Sequence, residues 1–320
     1  MSRVHDALRR AEHFGDSNIS GARADELPLP PAEEIPAHPT RARTPEPIAT
    51  AVDLGNGYEG PDRNVFGYST TGHGPLSLDV DWSELLGRIQ QIPLETAPEA
   101  HLINPERPHE VPAEEFRSLR TRLNHLQTQQ HLHSVVITSA SPGEGKTFTA
   151  VNLALAQAQL AENPVLLADL DLRRPVIHNL FRTERSPGFS DFLLDGAPLE
   201  SAIRRIGNTN LYFMPAGTPV KNPLELLNLR QVKALIEGLP KIFNWMIVDS
   251  PPLLFSADAN LLSTLADGTV MVVRIGATSY DNVVRAMQSL CENNVLGIVA
   301  NGARATELYS KYTYYYSKHD

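Results

Sequence analysis

From residue 111 onward the apolar positions fall into short blocks of two kinds. Phe116, Leu119, Leu123 and Leu126 recur at three- and four-residue spacing, which predicts an amphipathic helix over Glu114–Gln127. Val135–Thr138 is a β-branched run closed by polar and turn residues, which predicts a buried strand. A helix is expected from Lys146 to about Glu162, then a second strand over Val165–Leu170. Leu211–Met214, Trp245–Val248, Thr269–Ile275 and Leu296–Ala300 read as further strands, with helical stretches between them. Strands alternating with helices predict an α/β fold, with a mainly parallel sheet and helices on both faces.

Before residue 111 this patterning is lost. Thirteen of the 25 prolines lie in the first 110 residues, in stretches such as Pro28-Leu29-Pro30-Pro31. The same segment holds 9 of the 28 basic and 18 of the 37 acidic residues, so the whole net charge of −9 falls there. Such chain buries too little apolar surface to offset its ordering entropy. Residues 16–110 are therefore expected to be an acidic, proline-rich, disordered linker with a short helix near Trp82–Ile89. Residues 1–15 differ: Val4, Ala7, Leu8, Ala11 and Phe14 fall at helical spacing, with Arg3, Arg9 and Arg10 elsewhere on the wheel. This is either a docking helix, for a partner or a membrane surface, or a frayed terminus. The divisions are completed by an α/β domain over 111–305 and a tyrosine-rich tail over 306–320.

A neutral α/β part behind an acidic leader argues against a nucleic-acid partner, which requires a basic footprint. The lone Cys291 excludes an internal disulfide. No apolar run reaches the ~18–20 residues of a membrane-spanning helix, and the first 14 residues lack the apolar core of a secretory signal.

The strongest chemical signal is Ala140-Ser141-Pro142-Gly143-Glu144-Gly145-Lys146-Thr147, placed between a predicted strand and a predicted helix. That is the context of a phosphate-binding P-loop. The glycines let backbone N–H groups turn inward on phosphate oxygens, and the helix N-terminus adds partial positive charge. Lys146 is placed to reach the β- and γ-phosphates, and the Thr147 hydroxyl to ligate Mg²⁺. Ser141, Gly143, Glu144, Gly145, Lys146, Thr147 and Phe148 are the nucleotide-binding candidates, and ATP with Mg²⁺ the expected cofactors. Two strand ends supply acids: Asp169 and Asp171 after Leu166–Ala168, and Asp249 after Met246–Val248. Ligands of open α/β sheets bind at the C-terminal ends of strands, so these carboxylates are expected to converge with Lys146. The i, i+2 spacing of Asp169 and Asp171 points both the same way if the chain stays extended.

This constellation resembles the bacterial tyrosine kinases of capsule and exopolysaccharide systems. Their three nucleotide motifs match Ala140–Thr147 (Walker A), Leu166–Arg173 (Walker A′) and Val248–Pro251 (Walker B). Their Glu-x-x-Arg-x-x-Arg oligomerisation motif matches Glu114, Arg117 and Arg120, and their terminal tyrosine cluster matches Tyr309, Tyr312, Tyr314, Tyr315 and Tyr316. The resemblance implies a non-specific protein-tyrosine kinase that phosphorylates its own tail in trans within a ring-like homo-oligomer. It implies Lys146, Asp169 and Asp171 as catalytic residues, with Asp169 the candidate base, and Thr147, Asp171 and Asp249 as the metal set. It also implies a cytoplasmic enzyme recruited to the inner membrane face by a separate membrane-bound co-polymerase that activates it, and a cognate tyrosine phosphatase. Arg173 is expected either to steady phosphate charge or to hold Asp171. Asn301 resembles the adenine-contacting Asn of related P-loop ATPases. Asp258 and Asp267 are expected to cap or terminate helices, and His125, His131 and His133 to lie in a solvated loop. The rivals are a partition or division-site ATPase, in which a lysine would stand at the position of Ser141, and a nucleotide-dependent scaffold without phosphotransfer.

Overall fold

The computed structural model describes residues 82–95, 102–103, 112–290 and 294–303. Residues 1–81, the expected N-terminal helix among them, and the tail tyrosines 309–316 lie outside the described residues. So does Cys291. Among the described residues eight strands form one sheet: β1 (Gln90–Ile92), β2 (Ser134–Ser139), β3 (Val165–Asp169), β4 (Arg204–Ile206), β5 (Leu211–Met214), β6 (Trp245–Asp249), β7 (Gly268–Arg274) and β8 (Val295–Asn301). Their order is β1-β4-β5-β3-β6-β2-β7-β8. The six strands from β5 to β8 run parallel, and β4 lies antiparallel on β5 with β1 parallel to β4.

The central strands are buried from end to end because helices cover both faces. Their side chains alternate between two cores. Val135, Ile137, Leu167 and Ile247 join the cluster that packs on the Lys146–Ala158 helix, and Val136, Leu166, Met246 and Val248 join the one on the other face. The P-loop helix is deeply set, with every residue from Thr149 to Ala158 buried. Truncating one of its core leucines, Leu153, would cost about 3 kcal/mol at such a site.

This is the expected α/β architecture with a mainly parallel sheet. The helix over Glu114–Gln127 is found as Ala113–Gln127. The P-loop helix stops at Ala158 rather than near Glu162. Glu162 there takes a left-handed φ of 53°, the side-chain amide of Asn163 donates to the Gln157 carbonyl, and Pro164 follows. The expectation of an unstructured linker out to residue 110 is corrected over its last part. Trp82–Arg88 is a helix, as anticipated near there, but β1 follows as a sheet strand, and Leu85, Ile89 and Ile103 are buried. The Ile103 amide donates to Oδ1 of buried Asn152 at 2.7 Å, anchoring this segment on the P-loop helix. β1 and β4 are three residues each, too short to carry a visible alternation.

Candidate nucleotide site

β2 ends at Ser139 and the chain enters the P-loop, which closes at Gly145 with a left-handed φ of 98°. A Cβ there would sit 2.0 Å from Nδ2 of Asn301, so conformation and space both require glycine. The Lys146–Ala158 helix then begins with its first N–H groups unpaired within the helix, facing the site as an anion cradle requires.

Adjacent strands deliver the acids. Asp169 and Asp249 are register partners on β3 and β6, and Asp249 also pairs with Ile137 of β2. Lys146 Nζ donates to Asp171 Oδ2 at 2.7 Å and lies 3.8 Å from Asp249 Oδ1. The Thr147 hydroxyl donates to Asp249 Oδ2 at 2.7 Å. Thus Lys146, Thr147, Asp171 and Asp249 are in direct contact, as the sequence implied. Burial alone would lower the Lys146 ammonium, but Asp249 and Asp171 outweigh it and hold it above its ordinary value.

Asp169 is wholly buried. Its Oδ2 accepts the backbone N–H groups of Val176 and Ile177, each at 3.1 Å. Its other oxygen has no hydrogen-bond partner, and neither has Asp249 Oδ1. Burial, reinforced by the facing Asp249, pushes the Asp169 carboxyl well above the usual carboxylate range. Burial likewise raises Asp249, against the pull of Lys146. Asp169 and Asp171 reach the site by different routes than the extended geometry expected. The strand stops at Asp169 and the chain turns, with Arg174 N donating to the Asp171 carbonyl at 3.1 Å and to its Oδ1 at 3.1 Å.

Arg173 turns away from both expected roles. Its Nε donates to Asp258 Oδ2 at 2.7 Å and its Nη2 to Asp258 Oδ1 at 3.1 Å, tying the Walker A′ turn to the start of the Ala257–Leu265 helix. That helix is capped by Ser256, whose hydroxyl accepts from Asp258 N, so Asp258 is the ion-pair partner rather than the cap. Asp267 follows the same helix and accepts from His133 N, Ser134 N and Ser134 Oγ, fastening the entry to β2. His133 bonds the Asn244 carbonyl, and His131 is within 3.4 Å of Asp267. A cavity of about 290 Å³ lined by these histidines and Asp267 opens at the strand-start end of β2 and contains none of the site's groups. Asn301 donates from Nδ2 to the Glu144 carbonyl at 2.9 Å. In the Glu-x-x-Arg-x-x-Arg helix Glu114 and Arg117 pair with each other, and Arg120 Nη1 donates to the Ala156 carbonyl near the end of the P-loop helix at 2.7 Å. Phe148 packs edge-on against Phe116. Thr278 and Arg274, which touch the P-loop, carried no motif in the sequence.

The unpartnered buried oxygen of Asp249, the Asp171 carboxylate and the Thr147 hydroxyl are donors suited to a divalent cation, with Lys146 and the glycine loop beside them suited to phosphates. The fold and this site define a P-loop nucleotide-binding protein. A scan against protein-family models finds no match. The tyrosine-protein kinase YwqD of Bacillus subtilis is 36% identical over 213 residues, covering 66% of this chain and 89% of that protein. The tyrosine-protein kinase Etk of Escherichia coli is 32% identical over 209 residues, or 64% of this chain but only 29% of that longer protein. Among solved structures, the chimerical protein CapA2B2 superposes with a TM-score of 0.60 at 28% identity, covering 70% of this chain and 99% of that one. The kinase domain of Escherichia coli ETK does so with a TM-score of 0.58 at 28% identity, covering 70% and 93%. The chain belongs to the bacterial tyrosine-protein kinase family.

Proposed function

We propose that this chain is an ATP-dependent protein-tyrosine autokinase acting on its own C-terminal tyrosines, Tyr309, Tyr312, Tyr314, Tyr315 and Tyr316. The observation that carries the reading is the meeting of Lys146, Thr147, Asp171 and Asp249 at the mouth of a P-loop, in a chain of this family. In it Lys146 and the loop amides hold the triphosphate, with Ser141, Gly143, Glu144, Gly145 and Phe148 contributing backbone. Thr147, Asp171 and Asp249 hold Mg²⁺, which when bound neutralises charge on the transferring phosphoryl group. Asp169 receives the tyrosine proton. Its raised proton affinity and its unpartnered oxygen suit a base facing a hydroxyl whose own pKa is near ~10.

Phosphorylation proceeds in trans within a ring-like homo-oligomer, and tail charge of about −1.5 to −2 per phosphate then drives the ring apart. Glu114, Arg117 and Arg120 contribute one side of the contact. Val176, Phe255 and Ile275, exposed on loops leaving the C-terminal ends of β3, β6 and β7, and Tyr280, exposed at the start of the helix after β7, suit the receiving side. The enzyme serves exopolysaccharide or capsule polymerisation and export beside a membrane-bound co-polymerase that recruits and activates it, and a tyrosine phosphatase resets it. No described helix is long and apolar enough to cross a membrane.

The test is incubation of the full chain with Mg-ATP, followed by phosphotyrosine detection and peptide mapping, alongside Lys146→Met. Phosphate on the tail tyrosines, absent in Lys146→Met, is expected. A chain that hydrolyses ATP without labelling tyrosine would be the partition-type ATPase, and one that binds ATP without turnover would be a scaffold.

A further inference from the structure

Glu144 puts a carboxylate inside the loop that must hold phosphates, where like charge opposes binding. The side chain is nonetheless 4% exposed and both of its oxygens are engaged. Oε2 accepts from Ser141 N at 3.0 Å, within the loop itself. Oε1 accepts from the Thr278 hydroxyl at 2.6 Å. Thr278 lies outside every nucleotide motif, between β7 and the Tyr280–Ser289 helix. Its hydroxyl oxygen accepts the Arg274 backbone N–H at 3.0 Å, which leaves the hydroxyl hydrogen for Glu144. Arg274 makes a second contact, its Nη1 donating to the Gly143 carbonyl at 3.2 Å. Thr278 N and Ala277 N both return to the Arg274 carbonyl, at 3.0 and 3.2 Å, so the segment is a closed turn.

We infer that Thr278 is a positioning residue for nucleotide binding: through Glu144 it holds the P-loop in its phosphate-accepting shape before the ligand arrives, with Arg274 as a second strut. This rests on the reading of the loop as a nucleotide site. A loop already in its bound shape avoids the ordering cost of binding. Without the hydroxyl, Glu144 Oε1 is a buried carboxylate oxygen lacking its donor, and it competes for the amides and the lysine that serve phosphate.

The experiment is titration of the full chain with a fluorescent ADP analogue and Mg²⁺, with thermal unfolding of the ligand-free protein in parallel. Thr278→Val keeps the side-chain shape and removes the hydroxyl. About ten-fold weaker binding is expected, ~1.4 kcal/mol, with the ligand-free melting temperature within about 3 °C of wild type, roughly the shift expected of 1 kcal/mol in a domain this size. Thr278→Ser is expected to restore affinity to within about two-fold, as one retained hydroxyl requires. Arg274 is exposed, so Arg274→Met tests the second strut without a folding cost, with about three-fold weaker binding expected, a smaller loss because the contact is solvated. Thr278→Val and Arg274→Met chains that both bind like wild type would overturn the inference, and so would a Thr278→Ser chain as weak as Thr278→Val. A wild-type chain that fails to bind the analogue would sink the nucleotide reading instead.

Discussion

Arg173 and Asp258 form an ion pair whose two ends live in different solvents. The Asp258 side chain is 1% exposed and that of Arg173 is 47% exposed. Removing the arginine therefore strands a buried carboxylate, whereas removing the carboxylate leaves a cation that water can reach. Breaking a buried pair from one side costs ~3–5 kcal/mol. Asp258 stands in the first turn of its helix, where the dipole returns ~0.3–1 kcal/mol to a negative charge. Arg173→Met is thus expected to destabilise the domain by about 3 kcal/mol, and Asp258→Asn by only about 1 kcal/mol. The double variant Arg173→Met/Asp258→Asn removes both charges and is expected to be more stable than Arg173→Met alone. The assay is urea unfolding at pH 7, where 3 kcal/mol moves the midpoint by about 1 M at an m-value of roughly 2–3 kcal/mol/M. An Asp258→Asn cost equal to that of Arg173→Met, or a double variant showing the sum of both losses, would refute the asymmetry.

Three further outcomes are expected. Gly145→Ala should abolish nucleotide binding, and Gly145→Ala/Asn301→Ala should not rescue it, because the φ of 98° stays strained once the clash is gone; calorimetry with Mg-ADP reads both. Asp267→Ala should cost about 2–3 kcal/mol by orphaning the amides of His133 and Ser134. Burial raises the Asp267 carboxyl, but those hydrogen bonds outweigh it and hold it below the usual range. Its stabilisation is therefore complete above the unfolded value near ~3.9 and is lost as pH falls through the lower folded value, so urea midpoints of wild type and variant should converge only below about pH 4. Asn152→Ala should release the 102–103 segment, seen as faster hydrogen exchange at the Ile103 amide while β2 and β3 stay protected.

Chemistry that depends on local spacing could be read before any coordinates. The P-loop, the acids at two strand ends and every strand of four residues or more stood out, because a buried parallel strand is a continuous apolar run. What escaped was non-local. Gln90–Ile92 is a strand only because it lies beside Arg204–Ile206, 114 positions apart in register from Gln90 to Arg204, and Arg204–Ile206 is itself held between it and β5. The partner of Arg173 lies 85 residues away, and Thr278 meets Glu144 across 134. No periodicity reports such pairings, and both residue types are common in solvated turns. A turn, not strand pleating, brings Asp171 to Lys146.

The central claim is that one P-loop, with Asp171 in the turn after β3 and Asp249 at the end of β6, holds a single metal–nucleotide complex. Titration of the full chain with Mn²⁺ and ADP, followed by electron paramagnetic resonance, reads that complex directly, since Mn²⁺ substitutes for Mg²⁺ at oxygen-rich sites. One bound Mn-ADP per chain is predicted for wild type, with loss of the bound signal in both Lys146→Met and Asp249→Asn. A bound signal that survives in both variants would place the nucleotide elsewhere and contradict the account.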